Sequence, residues 1–243
     1  MIEFENTAII VTARMAAQPL PGRPMVDVTG RPLVLRAVEN AEKAGLGQVF
    51  VATPDNVVAE AARAGGADAL MSPPTAKADA DMAEAILALR DKAQHFQNVL
   101  IIPCQLAIVE DLALRLCLSA LLNKGVDVAT LASPIESAKA RQVLVEAPLQ
   151  GERDVAYLRA VSQTTEANAG KPALLHVPIY AWSRPSLAAF TKHSPSPLEA
   201  TSGFELTRAL AASQKCAVVK VDFAPLSVDT PQDLEALRRH WKA

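Results

Sequence analysis

The chain has 243 residues, half of them apolar, with a net charge of −2 and 21% charged residues. That length suits one large α/β domain, and the near-neutral balance lacks the basic field that nucleic-acid binding needs. No stretch reaches the roughly 18 to 20 apolar residues of a membrane span.

The N-terminal "MIEFENTAIIV" places acids, not cations, ahead of its apolar run, which is wrong for a secretory signal. Cys104, Cys117 and Cys216 sit singly in apolar runs and read as buried thiols of a reducing compartment. The expectation is a cytoplasmic protein with neither a membrane nor a nucleic acid as partner.

In chain order, "TAIIVTA" (7–13) is a buried strand, and 31–45 is a helix with Leu33, Ala37, Ala41 and Ala44 on one face, closing on Gly45. "QVFVAT" (48–53) is the second strand, 55–66 a helix, 67–72 a strand, 79–94 a helix and "NVLIIP" (98–103) a strand. A helix over 109–125 and a strand over 127–134 follow. Continuous apolar strands alternating with helices predict a three-layer, doubly wound, mostly parallel α/β sheet. After about residue 134 the rhythm changes: 140–148, 154–162 and 172–183 read as strands without helices between them. They predict a smaller antiparallel β extension over 140–183, within one domain spanning 1–243. A helix over 196–213, the strand "CAVVKVDF" and the helix "TPQDLEALRRHWKA" close the chain. In such sheets ligands sit beyond the C-terminal strand ends, so the loops after the strands carry the candidate chemistry.

Five segments, in order over nearly the whole chain, resemble the 3-deoxy-manno-octulosonate cytidylyltransferases, members of the sugar nucleotidyltransferases. They are "ARMAAQPLPGRPMVDVTGRPLV", "VFVATPDNVVAEAARAGGADALMS", "LHVPIYAWS", "SPLEATSGFELTRAL" and "SVDTPQDLEALR". The resemblance implies a nucleotide-diphospho-sugar transferase-like fold and CMP transfer from CTP to a 3-deoxy sugar acid, releasing pyrophosphate. It also implies Mg²⁺ as cofactor, a role in lipopolysaccharide or capsule precursor synthesis, and a homodimer, for which 140–183 is the expected dimerisation region.

Residue by residue, the resemblance assigns Arg14 and Arg23 to the phosphate loop and Asp229 to the metal, these three forming the candidate catalytic set. Gly22 is the loop glycine that would let backbone N–H groups approach an anion. Gln105 echoes a family glutamine, and His176, Tyr180, Glu199, Glu205 and Arg159 match the sugar-acid side. Three departures stand out. Gln18 or Pro19 replaces the motif's second arginine, and Gln18 donates a hydrogen bond without neutralising charge. In 73–85 the family has S-G-T-D/E-R and this chain has Lys77, Asp79 and Asp81, with an aspartate in place of the arginine. Leu106 or a neighbour stands where a magnesium carboxylate belongs, with Glu110 and Asp111 a few residues on. Asp229 has a second reading, as an N-cap of the final helix. Two functions follow: a cytidylyltransferase, or a catalytically impaired paralogue that binds or regulates.

Overall fold

The computed structural model describes residues 6–16, 19–72, 96–106, 108–136, 143–149, 155–164, 172–194, 199, 204–222 and 225–242. Gln18, the segment with Lys77, Asp79 and Asp81, and the helix expected at 79–94 lie outside the described residues. The chain divides into two compact units, Met1–Leu112 with Pro225–Ala243, and Ala113–Ala224.

In the first unit β1 (Thr7–Thr12) is buried along its whole length. It leads through the short hairpin β2 (Asp27–Val28) and β3 (Arg31–Pro32) into α1 (Leu33–Lys43), β4 (Gln48–Thr53), α2 (Asn56–Ala64), β5 (Asp68–Met71) and β6 (Asn98–Pro103). The four long strands lie in the order β5-β4-β1-β6, all parallel. Burial on both faces explains why their sequences are apolar throughout rather than alternating. Helix α1 turns Leu33, Val34, Ala37, Val38 and Ala41 inward, the one-sided stripe that a crossover helix needs.

The chain steps outward from β1 to β4 to β5 and then returns to place β6 on the other side of β1. The reversal point therefore lies between the C-terminal ends of β1 and β6, where open α/β sheets leave a crevice for ligands. A second cluster fixes what stands at this end. Val28, Leu33, Val228, Leu234 and Leu237 are buried together, with Leu20, Val26, Ile108 and Leu226 packed against them. It joins the loop after β1, the hairpin, the loop after β6 and the C-terminal helix (Pro231–Lys242). At about 1.5–3 kcal/mol for each fully buried Val or Leu, this core holds those loops in place.

The second unit holds most of α3 (Asp111–Leu121), then β7 (Val128–Ile135), β8 (Val143–Glu146), β9 (Val155–Tyr157), β10 (Ala160–Gln163), β11 (Ala173–Ser183), α4 (Arg184–Phe190), α5 (Leu206–Ala211) and β12 (Cys216–Lys220). Its strand order is β11-β7-β12-β9, with β7 and β12 parallel and the outer pairings antiparallel. The mostly parallel α/β class and the antiparallel addition are both present. The stretch 140–183 is, however, not wholly an extension. Only β8 and β10 form the separate antiparallel pair, β9 edges β12, and β11 runs along β7. The reason lies in β11 itself. Its second half carries Val177, Ile179, Ala181 and Trp182, all buried, while its half-buried first half meets β8 at Leu175–Leu144.

Trp182 and Phe190 pack ring to ring at 5.0 Å in this unit's core. Ser183 caps α4 by accepting the Ser186 N–H. All three cysteines are buried and free. Burial pushes the Cys117 and Cys216 thiols up to about 12, which leaves them unreactive. Among the described residues no helix is long and apolar enough to cross a membrane.

Candidate active site

The loop after β1 is closed by its own backbone. The Gly22 N–H donates to Met15 O at 2.7 Å, Arg23 N–H to Leu20 O, and Met25 N–H to Gly22 O. Gly22 has φ +78, a left-handed conformation that glycine adopts without penalty. Its amide is spent inside the loop, so Gly22 makes the turn that delivers Arg23 and does not itself offer an N–H to an anion. Asp55 anchors the other side of the loop, its Oδ2 accepting from Met15 N–H at 2.8 Å. Sequence reasoning missed Asp55; the signal was the Thr-Pro-Asp turn, in which Thr53 Oγ1 accepts the Asp55 N–H.

Arg23 is 6% exposed and donates from Nη1 to Asp229 Oδ1 at 2.6 Å and to the Val228 carbonyl at 3.3 Å. Its Nε is buried and has no acceptor among the described residues. Asp229 Oδ2 accepts from the Ser227 hydroxyl. The cap reading of Asp229 is corrected here. Thr230 and Asp233 form a capping box: Asp233 Oδ2 accepts the Thr230 N–H at 2.8 Å, and Thr230 Oγ1 accepts the Asp233 N–H at 3.2 Å. The helix start is satisfied without the Asp229 carboxylate, which is left for Arg23. Arg14, two residues beyond β1, is likewise buried at 6% exposure.

Beside this pair the loop after β6 passes close, with Val228 N–H donating to Gln105 O at 3.0 Å. The position whose backbone borders the Asp229 segment is therefore 105. Leu106 is 3% exposed, and its N–H closes a turn onto Pro103 O. The sequence left Leu106 or a neighbour open for the missing carboxylate; side chain 106 belongs to the apolar interior, and of its described neighbours Gln105 has its backbone beside the Asp229 segment. Glu110 is exposed, immediately before the first turn of α3, where Asp111 stands.

The second unit carries the remaining candidates. His176 Nε2 lies 3.0 Å from Thr130 Oγ1, and its ring centroid is 5.5 Å from that of Tyr180. The two are brought together by a bulge: Val177 is opposite Leu131, but Tyr180 is opposite Thr130, so Pro178 and Ile179 fall out of register. Proline cannot donate to a ladder, which accounts for the break. At about 3.3 Å per residue, four residues of regular strand would hold the two side chains roughly 13 Å apart; the bulge makes them neighbours. His176 is partly accessible, yet desolvation pushes its pKa down to about 4, so the imidazole is neutral at physiological pH.

Glu199 is committed elsewhere. Both its oxygens accept from Arg208, Nε–Oε2 being 2.8 Å and Nη2–Oε1 the second arm. Arg208 lies over the Phe190 ring, Cζ 4.5 Å from the centroid. Its pKa is raised, chiefly by the hydrogen bond it donates to Glu199, with the Glu199 and Glu205 charges adding to it. Glu205 starts α5, and Arg159 is exposed, its backbone N–H donating to Glu146 O. The structure thus brings Arg23, Asp229 and the Gln105 backbone together in one unit, and His176 with Tyr180 in the other.

A family model described as Cytidylyltransferase matches residues 8–216. The chain belongs to the cytidylyltransferase family. Cytidylyltransferases named 3-deoxy-manno-octulosonate cytidylyltransferase are similar to it over nearly their full length. The one from Mesorhizobium japonicum is 35% identical over 240 residues, 96% of this chain and 98% of its own. That of Bradyrhizobium sp. is 34% identical over 238 residues, 95% of each. That of Parvibaculum lavamentivorans is 32% identical over 233 residues, 95% and 90%. In fold, the chain is similar to the solved structure of CMP:2-keto-3-deoxy-manno-octonic acid synthetase complexed with CTP, with a TM-score of 0.82, 23% identity, and coverage of 97% and 98%. It is also similar to 4-diphosphocytidyl-2C-methyl-D-erythritol synthase from Anaerococcus prevotii, TM-score 0.63 and 12% identity over 99% and 100% of the chains. The relatives are transferases, which gives the alternative of a binding or regulatory paralogue no support.

Proposed function

We propose that this cytidylyltransferase moves CMP from CTP to a 3-deoxy sugar acid such as 3-deoxy-manno-octulosonate. The anomeric hydroxyl oxygen of the sugar acid bonds to the α-phosphorus, the bond from that phosphorus to the bridging oxygen breaks, pyrophosphate leaves, and the hydroxyl proton passes to solvent. The observation that carries the reading is the Arg23–Asp229 pair at the reversal point between β1 and β6, with the Gln105 backbone beside it. A buried guanidinium held by a carboxylate is oriented before any ligand arrives, so little reorganisation remains when phosphate charge develops against it. His176 and Tyr180 are the proposed sugar-acid contacts, while Glu199 serves by holding Arg208.

Mg²⁺ requires oxygen ligands, usually one or two carboxylates with phosphates and waters. Asp229 is a single carboxylate whose charge is already matched by the Arg23 guanidinium, Gln105 is neutral, and no group of three or more His, Cys, Asp or Glu is placed to hold a metal among the described residues. These residues do not fit a metal held by the protein. Magnesium then belongs to the CTP substrate as its counter-ion. The chain is proposed to work in the cytoplasm as a homodimer, supplying an activated sugar acid for lipopolysaccharide or capsule precursors; a purely monomeric sedimentation profile at micromolar concentration counts against the dimer.

The test is pyrophosphate release from CTP with a panel of 3-deoxy sugar acids, comparing the native chain with Arg23→Ala and Asp229→Asn. Turnover with one acid, falling at least a hundredfold in both variants, is the expected result. No release with any acid, while CTP still binds, sinks the proposal.

A further inference from the structure

We propose that Thr130 is a positioning residue which fixes His176 as the Nε2–H tautomer, leaving Nδ1 to accept a hydrogen bond from a sugar-acid hydroxyl. The second half of this statement rests on the reading of His176 as a sugar-acid contact; the first half rests on the hydrogen-bond geometry around Thr130 together with the desolvation that keeps the ring neutral.

Thr130 is fully buried in the middle of β7, and its Oγ1 has three neighbours. These are Ile179 O at 2.9 Å, Val177 O at 3.4 Å and His176 Nε2 at 3.0 Å. A hydroxyl has one proton to give, and carbonyl oxygens only accept. If that proton went to Nε2, the hydroxyl oxygen and Ile179 O would face each other at 2.9 Å with no hydrogen between them. Two oxygens held at that distance without a shared proton repel each other, whatever else Ile179 O accepts, and the Cys117 thiol at 4.0 Å from that carbonyl does not separate them. The Thr130 proton therefore goes to Ile179 O, and Oγ1 receives a hydrogen bond from Nε2–H.

The imidazole is neutral, its pKa lowered to about 4 by desolvation, so it carries a single ring proton. With that proton on Nε2, Nδ1 is a bare lone pair. Nδ1 makes no hydrogen bond to the described residues, and the His176 side chain is half-buried rather than enclosed. The consequence for recognition is directional. A ligand group meeting Nδ1 must donate, which suits a hydroxyl and excludes the carboxylate of a sugar acid. The partner of one ring nitrogen sets the role of the other, as it does for histidine generally.

The experiment uses the full chain labelled with ¹⁵N-histidine. Long-range ¹H–¹⁵N spectra at neutral pH are recorded for the native protein, Thr130→Val and Thr130→Ser, the His176 signals being assigned by their loss in His176→Asn. The native chain is expected to show a protonated-type Nε2 and an unprotonated-type Nδ1. Thr130→Val is expected to move both shifts toward a tautomer mixture, and Thr130→Ser to restore them. An Nδ1–H pattern in the native spectrum overturns the proposal even if Thr130→Val fails to fold, and an unchanged pattern in folded Thr130→Val overturns the role of Thr130. The kinetic arm measures KM for the sugar acid and for CTP separately. A rise of about tenfold for the sugar acid in Thr130→Val, reversed in Thr130→Ser and absent for CTP, supports the recognition half; a tautomer change with no change in KM overturns that half and leaves the tautomer assignment standing.

Discussion

Replacing Glu199 by Gln tests whether that carboxylate binds substrate or holds the fold. Glu199 and Arg208 expose only 8% and 14% of their side chains, and the guanidinium makes two hydrogen bonds to the carboxylate. The amide side chain would keep the shape, reduce the acceptors to one oxygen and leave the Arg208 charge desolvated, with only the weaker influence of the Glu205 charge still acting on it. Breaking a buried pair on one side costs about 3–5 kcal/mol. Arg208 keeps its contact with Phe190 and a partly open side chain, which places the expected loss near the lower end, about 3 kcal/mol. For a chain of this size that corresponds to a fall in Tm of roughly 6–12 °C. Thermal unfolding followed by circular dichroism reads it directly. The paired change Glu199→Leu with Arg208→Met removes both charges, so it is expected to cost less than Glu199→Leu alone, a coupling visible in a double-mutant cycle. A Glu199→Gln variant within about 2 °C of the native Tm, with a large rise in KM for the sugar acid, would refute the structural assignment and return Glu199 to the substrate.

Gln105→Asp is expected to create a second carboxylate beside Asp229 and a Mg²⁺-dependent rise in Tm that the native chain lacks, whereas Leu106→Asp buries a charge and lowers Tm without any metal response; identical metal behaviour of the two variants would show that the 105 assignment is mistaken. Gly22→Ala has space, the nearest atom to an added Cβ being Met15 Cε at 3.9 Å, so its expected cost of about 1–2 kcal/mol comes from the left-handed φ alone; urea unfolding measures it. His176 predicts an acid-labile component. Its folded pKa of about 4 lies below the ordinary 6.5, so the fold favours the neutral ring, and that stability is complete above pH 6.5 and is lost as pH falls toward 4. The loss has a ceiling of about 3 kcal/mol, reduced by the partial exposure of the ring, and His176→Asn should flatten the stability–pH curve in that window.

The parallel strands were legible because burial on both faces leaves unbroken apolar runs, and β1, β4 and β6 fall within a residue of where those runs place them. The Asp229 question was also open to solution in the sequence. "TPQD" is a Thr-x-x-Asp capping box, and reading it as such frees the preceding aspartate. Other features were out of reach. Leu106 and Gln105 differ by one position in a loop, and only the turn onto Pro103 decides which side chain enters the core. Thr130 looked like one polar residue in an apolar strand; its importance comes from a carbonyl displaced by a bulge on a strand almost fifty residues away. Gly22 was correctly singled out as a backbone position, yet which N–H groups remain after the loop closes cannot be read from a glycine.

The bulge in β11 has arithmetic of its own. Three residues, from Val177 to Tyr180, advance where β7 advances by one, so the surplus is two. Two is even, and inside and outside alternate along a strand, so the surplus leaves every side chain of β11 on its original face. Deleting Pro178 alone would make the surplus odd and turn Ala173–Val177 over, carrying His176 away from Tyr180. Deleting Pro178 and Ile179 together would leave both rings on the same face, still opposite Ala132 and Thr130, and would remove the carbonyl that orients the threonine hydroxyl along with the buried Ile179 side chain. Drift in the length of this strand thus keeps the two rings facing alike in steps of two and parts them in steps of one.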